Sequence, residues 1–192
     1  MANPYFIVSA ETVPIEIEKY VNLDEDSKKE VLNPIDSKII ALGIRHNKEN
    51  KIFCGENEKE ILDKFWFEWN LITKGSTYNS IIGFNISNFD IPFIATRSFI
   101  NGNVISPFSM KQVLDLRNKI NAYRYGKTRG KLKEYASLLK LKTTEIEGID
   151  IAKLYYNKDL DKIKLHLSNN LEIVDGLYKR AVETNIIKIN RW

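Results

Sequence analysis

At 192 residues, 43% of them hydrophobic and 28% charged, the chain has the make-up of one ordinary globular domain, 1–192, with a full core. A net charge of +4 leans only mildly toward anionic partners, while one cysteine, Cys54, excludes an internal disulfide and a cysteine-based zinc site, and two histidines, His46 and His166, exclude a histidine-rich metal centre. No apolar run approaches the roughly 18 residues of a membrane span, and the N-terminus lacks a signal-peptide pattern, so a cytoplasmic protein without a membrane role is expected.

Tyr5 to Val8 is short, aromatic and β-branched, and predicts a buried first strand. Residues 13–36 are charged and read as an insertion, a loop with one short helix closed by Asn33-Pro34. Ser37 to His46 and Lys51 to Glu56 predict two further strands around the polar turn Asn47-Lys48-Glu49-Asn50, an antiparallel meander. Asn57 followed by Glu60 is a helix start of capping-box type, and Ile61, Phe65, Trp69 and Ile72 then form one apolar stripe. Trp66, Trp69 and Phe67 on that helix are expected in the core. Gly75-Ser76 ends the helix. Ile81 to Phe84 predicts another buried strand, followed by a helix from Asp90 to Ile100 and a strand within Met110 to Leu116.

Residues 117–133 form a basic loop with seven cations and no acid. Arg117, Lys119, Arg124, Lys127, Arg129 and Lys131 alternate there with Tyr123 and Tyr125, which suits phosphate contacts and base stacking on a single strand; the alternative is a solvated surface loop. Leu132, Tyr135, Ala136 and Leu139 give the next helical face, Gly148-Ile149-Asp150 opens another, and the last helix is expected over Leu160 to Ile187.

Three short stretches carry chemistry. The first strand runs into Ser9-Ala10-Glu11-Thr12, where Ser9 and Glu11 would stand on one face at the strand's carboxyl end. Asp-x-Glu in that place is a two-metal nuclease signature, because adjacent carboxylates hold a divalent cation; here Ser replaces the Asp. The second stretch, Gly83-Phe84-Asn85 through Phe89-Asp90-Ile91-Pro92-Phe93, delivers Asn85 from a strand and Asp90 into a helix start. The third is His166-Leu167-Ser168-Asn169-Asn170 in the last helix. Taken singly each has a plain explanation: a strand end, an acid at a helix N-terminus, a packed histidine, a surface amide.

Together they resemble the DnaQ-like (DEDD) 3′–5′ exonuclease superfamily, in particular the predicted exonucleases related to the proofreading domain of family-B DNA polymerases. The resemblance spans nearly the whole chain. It implies an α/β, RNase H-like fold, a mixed five-stranded sheet flanked by helices. It also implies four acids holding two divalent metals, Mg²⁺ or Mn²⁺, for hydrolysis from a 3′ end. Glu11 and Asp90 match the acids of the first two motifs, as the metal ligands. Ser9 stands where an Asp belongs, Asn170 where the last Asp belongs, and His166 at the position of the Tyr that positions the attacking water. Two lost carboxylates remove the charge that dominates hard-cation binding. Glu172 and Asp175 lie nearby, but Asp175 falls about 140° around the helix from Asn170 and is not expected to substitute.

Three readings follow. The first is a homologue binding single-stranded or 3′-terminal DNA, or RNA, with impaired or absent catalysis and no obligatory metal. The second is a non-catalytic subunit of a replication or repair assembly. The third is an active exonuclease whose sequence carries introduced substitutions.

Overall fold

Both faces of the first strand, β1 (Tyr5–Pro14), are largely buried, and its residues divide between the two layers of the molecule. Phe6, Val8 and Ala10 face one apolar cluster, whereas Ile7 and Val13 face two others across the sheet. The computed structural model describes residues 4–21, 23–74, 80–124 and 130–190.

β1 pairs antiparallel with β2 (Ser37–His46), which pairs antiparallel with β3 (Glu49–Cys54). On its other edge β1 pairs in parallel with β4 (Ser80–Gly83), and β4 with β5 (Val113–Asp115). The result is the expected mixed five-stranded sheet, ordered β3-β2-β1-β4-β5. Helices α3 (Glu58–Thr73) and α4 (Asp90–Asn101) cover one face. The 24-residue helix α8 (Leu160–Glu183) crosses the other, with α5 (Leu116–Ile120), α6 (Leu132–Leu138) and α7 (Ile151–Tyr156) around it. The stripe on α3 packs as its spacing predicts: Ile61, Phe65 and Trp69 are buried against the sheet, and Phe6 meets Trp69 edge-on at 4.8 Å. Trp66 is also buried, but Phe67 is 65% exposed, on the outer side of the helix.

Several boundaries differ from the sequence expectation. β1 does not stop at Val8 but runs to Pro14, because β2 continues to pair with it throughout. Residues 13–36 hold two short helices rather than one, α1 (Ile17–Val21) and α2 (Glu25–Val31), the second capped by Asp24, which accepts from the Ser27 amide at 3.0 Å. The β2–β3 turn is a tight two-residue one with Asn47 and Lys48 both left-handed, so β3 begins at Glu49. The strand expected within 110–116 shrinks to Val113–Asp115 after a 3-10 turn. The basic stretch opens as helix α5, since Asp115 accepts from the Arg117 and Asn118 amides and caps it. Helix α8 stops at Glu183, where Asn185 turns left-handed before a 3-10 turn over Ile186–Lys188. Gly75 and Ser76 lie outside the described residues. Among the described residues no helix is long and apolar enough to cross a membrane.

Candidate functional site

β4 accompanies β1 only from Tyr5 to Ile7. Beyond Ile7 that edge of β1 is uncovered, and a crevice opens at the carboxyl end of the parallel strand, where open α/β sheets place their ligands. Ser9 and Glu11 therefore project from the body of a strand paired on one side only. Next to Glu11 the register with β2 shifts by one residue, leaving Ile40 bulged between the partners of Glu11 and Thr12.

Asp90 fills the uncovered edge. After Gly83 the chain turns sharply, with Asn85 in the left-handed region at φ 63°, and enters α4 at Asp90. An added Cβ on Gly83 would lie 2.6 Å from the Ile86 Cβ, so the turn needs glycine there. The Asp90 carboxylate accepts from the Ala10 amide at 2.8 Å, capping a donor that β4 no longer reaches. Sequence reasoning missed the residue that shapes this turn. Asp115 accepts from the amides of Asn85 and Ser87 at 3.0 and 3.1 Å as well as capping α5, so it ties the 85–87 loop to the end of β5. Its only sequence signal is an acid at a strand-to-helix junction.

Helix α8 brings the third stretch in. It approaches β2 closely over Gly43, where a Cβ would meet Leu171 Cδ1 at 2.8 Å. His166 and Asn170, one turn apart on α8, consequently reach Glu11. The Asn170 Nδ2 donates to Glu11 Oε1 at 3.2 Å and lies 3.0 Å from His166 Nε2, which is itself 3.4 Å from Glu11 Oε1. One amide group with two hydrogens thus serves two acceptors. This places the imidazole proton on Nδ1, with the Ile146 backbone beside the ring.

The electrostatics agree with that assignment. Burial, helped by the Lys133 ammonium, pushes His166 down to about 4, so the ring is neutral near pH 7. Burial and the charge of Asp90 push Glu11 up to about 8. Asp90 rises to about 7, again through burial, with the Ala10 amide pulling the other way. Both carboxylates carry their charge reluctantly.

A pair of divalent cations would relieve that strain, but the donor set does not fit them. Hard cations take oxygen ligands. Asn170 turns its N–H toward Glu11, Ser9 offers a neutral hydroxyl, and His166 is engaged with the amide. Among the described residues no group of three or more His, Cys, Asp or Glu side chains is placed to hold a metal ion. Asp175 faces away, as its helical angle implies, and is held by Tyr5, Arg45 and Lys179.

Ser9, Glu11, Asn85, Asp90, His166 and Asn170 all line one cleft of about 630 Å³. The opposite wall consists of Lys131 to Glu134 at the start of α6 and Glu147 to Ile149. Phe84 adds an aromatic face, its ring 5.7 Å from that of Tyr135. The predicted basic contacts divide. Lys131 lines the cleft, joined by Lys133, the last of the seven cations of residues 117–133. Arg117 touches the rim, its Nη1 3.4 Å from Asn85 Oδ1. Arg124 is exposed beyond it. Lys119 lies elsewhere: it is 9% exposed, donates to the Ile189 carbonyl and sits over the Tyr123 ring, beside the edge strand β5. Tyr125, Lys127 and Arg129 lie outside the described residues. Leu32 and Glu147 to Ile149 were also missed, since only the tertiary fold brings residues 32 and 147–149 beside Glu11.

The RNase_H superfamily profile matches residues 30–168. An uncharacterized protein of Methanocaldococcus jannaschii is 32% identical over 171 residues, covering 82% of this chain and 93% of that one. Among solved structures, the family B DNA polymerase of the hyperthermophilic archaeon Pyrobaculum calidifontis superposes with a TM-score of 0.70 at 12% identity, covering 97% of this chain. The chain spans 25% of that polymerase's length, and the likeness is one of fold.

Proposed function

Because the chain belongs to the RNase_H superfamily, we propose that it is a nucleic-acid-binding member of that nuclease-fold superfamily whose 3′–5′ exonuclease chemistry is impaired or lost. The observation that carries this reading is the amide nitrogen of Asn170 facing Glu11 at 3.2 Å, in a helix position where the resemblance calls for an anionic oxygen. Nucleases of this fold generally use divalent metals; here only Glu11 and Asp90 fill the four acid positions that the resemblance implies, and their neighbours are an amide, a hydroxyl and a neutral imidazole. The ligand is single-stranded or 3′-terminal DNA, with RNA as the second candidate. Lys131 and Lys133, and Arg117 at the rim, supply phosphate contacts, while Phe84 offers a ring for a base.

What this chain's own residues do is bind and orient. Asn170 holds Glu11 and His166 in fixed register. Asp90 anchors the strand edge through Ala10, and Ser9 leaves room in the cleft for a ligand. A second reading, a protein-binding subunit of a replication or repair assembly, draws on the exposed apolar side chains at the end of α4 and after it, with Phe99 86% and Val104 88% exposed.

Fluorescence anisotropy of a labelled short single strand at increasing salt tests the first reading. The expected result is salt-dependent binding that Lys131→Ala and Lys133→Ala each weaken, lowering the salt slope by about 1. Absence of binding at low salt would overturn it and turn attention to protein partners.

A further inference from the structure

The cleft continues past Glu11. Beyond Thr12 a further hollow of about 290 Å³, near the lower end of the range for small-ligand sites, extends along the end of β1 toward α2. Thr12, Leu32, Lys131, Gly148 and Ile149 line both spaces, so the two form one groove. What distinguishes the far part is charge. The main cleft contains Glu11, Asp90, Glu134 and Glu147, whereas the described lining of the extension contains Lys28 and Lys131 and no acid.

Residues 13–36 account for that difference. All but Val13 and Pro14, the last residues of β1, lie outside the five strands, and the segment delivers Tyr20, Lys28 and Leu32 to the groove. Lys28 stands at the wall of the extension with its ammonium 5.7 Å from the centroid of the Tyr20 ring. Facing it, Ile149 is 57% exposed, a large apolar side chain kept at the groove's surface. Cations on the walls and apolar side chains between them are complementary to one phosphate and one base.

We propose that this extension is a second nucleotide subsite, in which Lys28 and Lys131 take the backbone phosphate and Leu32 and Ile149 face the base of the nucleotide adjoining the one in the main cleft. The proposal rests on the reading of the main cleft as a seat for the end of a strand. The insertion thereby sets how many nucleotides the protein grips.

The test compares a nucleoside monophosphate with di- and trinucleotides, by anisotropy and competition, on the full chain. The wild type should bind the longer ligands more tightly than the mononucleotide. Lys28→Ala and, separately, Lys28→Glu should weaken trinucleotide binding about fivefold to tenfold or more and leave mononucleotide binding unchanged, with unfolding midpoints near that of the wild type. Lys28→Ala should also lower the salt slope by about 1. If both variants bind trinucleotide like the wild type, or weaken the mononucleotide equally, the subsite is wrong while the reading of the main cleft stands. If the wild type binds none of these ligands, both fail.

Discussion

Asn170 and Glu11, 159 residues apart in sequence, meet through a 3.2 Å hydrogen bond in which the amide is the donor. An aspartate in place of Asn170 would set a second carboxylate against one that burial already discourages from ionising. The amide instead supplies a hydrogen to Glu11 and another to His166 Nε2, so one neutral group links the acid and the imidazole.

The first consequence concerns divalent ions. Millimolar Mg²⁺ or Mn²⁺ should leave the melting temperature of the wild type unchanged within about 1 °C, because no added stabilisation comes from an ion that does not bind. Ser9→Asp/Asn170→Asp should melt lower than the wild type without ions and recover with them. A loss of about 1–3 kcal/mol corresponds to roughly 2–4 °C per kcal/mol in a chain of this length. Differential scanning fluorimetry with and without chelator reads both. A large ion-induced rise in the wild type would contradict the account of the donor set.

The second concerns pH. Glu11, raised to about 8, binds its proton more tightly folded than unfolded, so its contribution is fully favourable below about 4.5 and is lost as pH rises to about 8. Asp90 acts in the same direction up to about 7. His166, lowered to about 4, has the opposite sign: the unfolded chain takes up its proton first, so stability falls as pH drops from about 6.5 toward 4. Glu11→Gln keeps an acceptor for Asn170 and removes the ionisation. Urea unfolding should show it about 1–3 kcal/mol more stable than the wild type at pH 8.5, with the difference shrinking toward pH 5. Equal stabilities at pH 8.5 would show that Glu11 ionises without penalty.

Gly43 tests the placement of α8. An added methyl meets Leu171 Cδ1 at 2.8 Å and Leu167 Cγ at 3.2 Å, so Gly43→Ala should displace the helix and cost about 1–3 kcal/mol. Gly55→Ala, with nothing within 4 Å of its new Cβ, is the control and should be close to neutral. Thermal melts of the pair decide it, and single-strand binding should fall only in the first.

Asp115 tests the loop. Its carboxylate accepts four backbone amides, from Asn85, Ser87, Arg117 and Asn118, at 5% exposure. Asp115→Ala should cost about 2–4 kcal/mol, since those donors lose their acceptor. Crystal structures or amide exchange of the variant should show the 85–87 turn loosened, with α3 unaffected.

The sheet and its helices were legible because their signals are local. The stripe on α3, the Asn57 cap and the strand over Ser37–His46 each depend on neighbours in sequence. The motif residues Ser9, Glu11, Asp90, His166 and Asn170, scattered in sequence, line one cleft. Less legible was whatever depends on distant partners. β1 reads as ending at Val8 because Ser9 interrupts its apolar run, yet β2 carries the pairing on to Pro14. Lys119 is one cation among many in the sequence, and only the returning C-terminal segment shows it turned away from the cleft. Asp115 and Lys28 were not picked out because the loop after β4 that Asp115 holds, and the groove that Lys28 lines, are assembled only by the tertiary fold.

The most direct test of the central claim is digestion of a 5′-labelled single strand with Mg²⁺ or Mn²⁺, comparing the wild type with Ser9→Asp/Asn170→Asp and following binding in the same samples. The account predicts that both bind and that only the double variant shortens the strand from its 3′ end, because only it has the four carboxylates that two cations need. Rapid digestion by the wild type would contradict it, showing that Glu11 and Asp90 suffice.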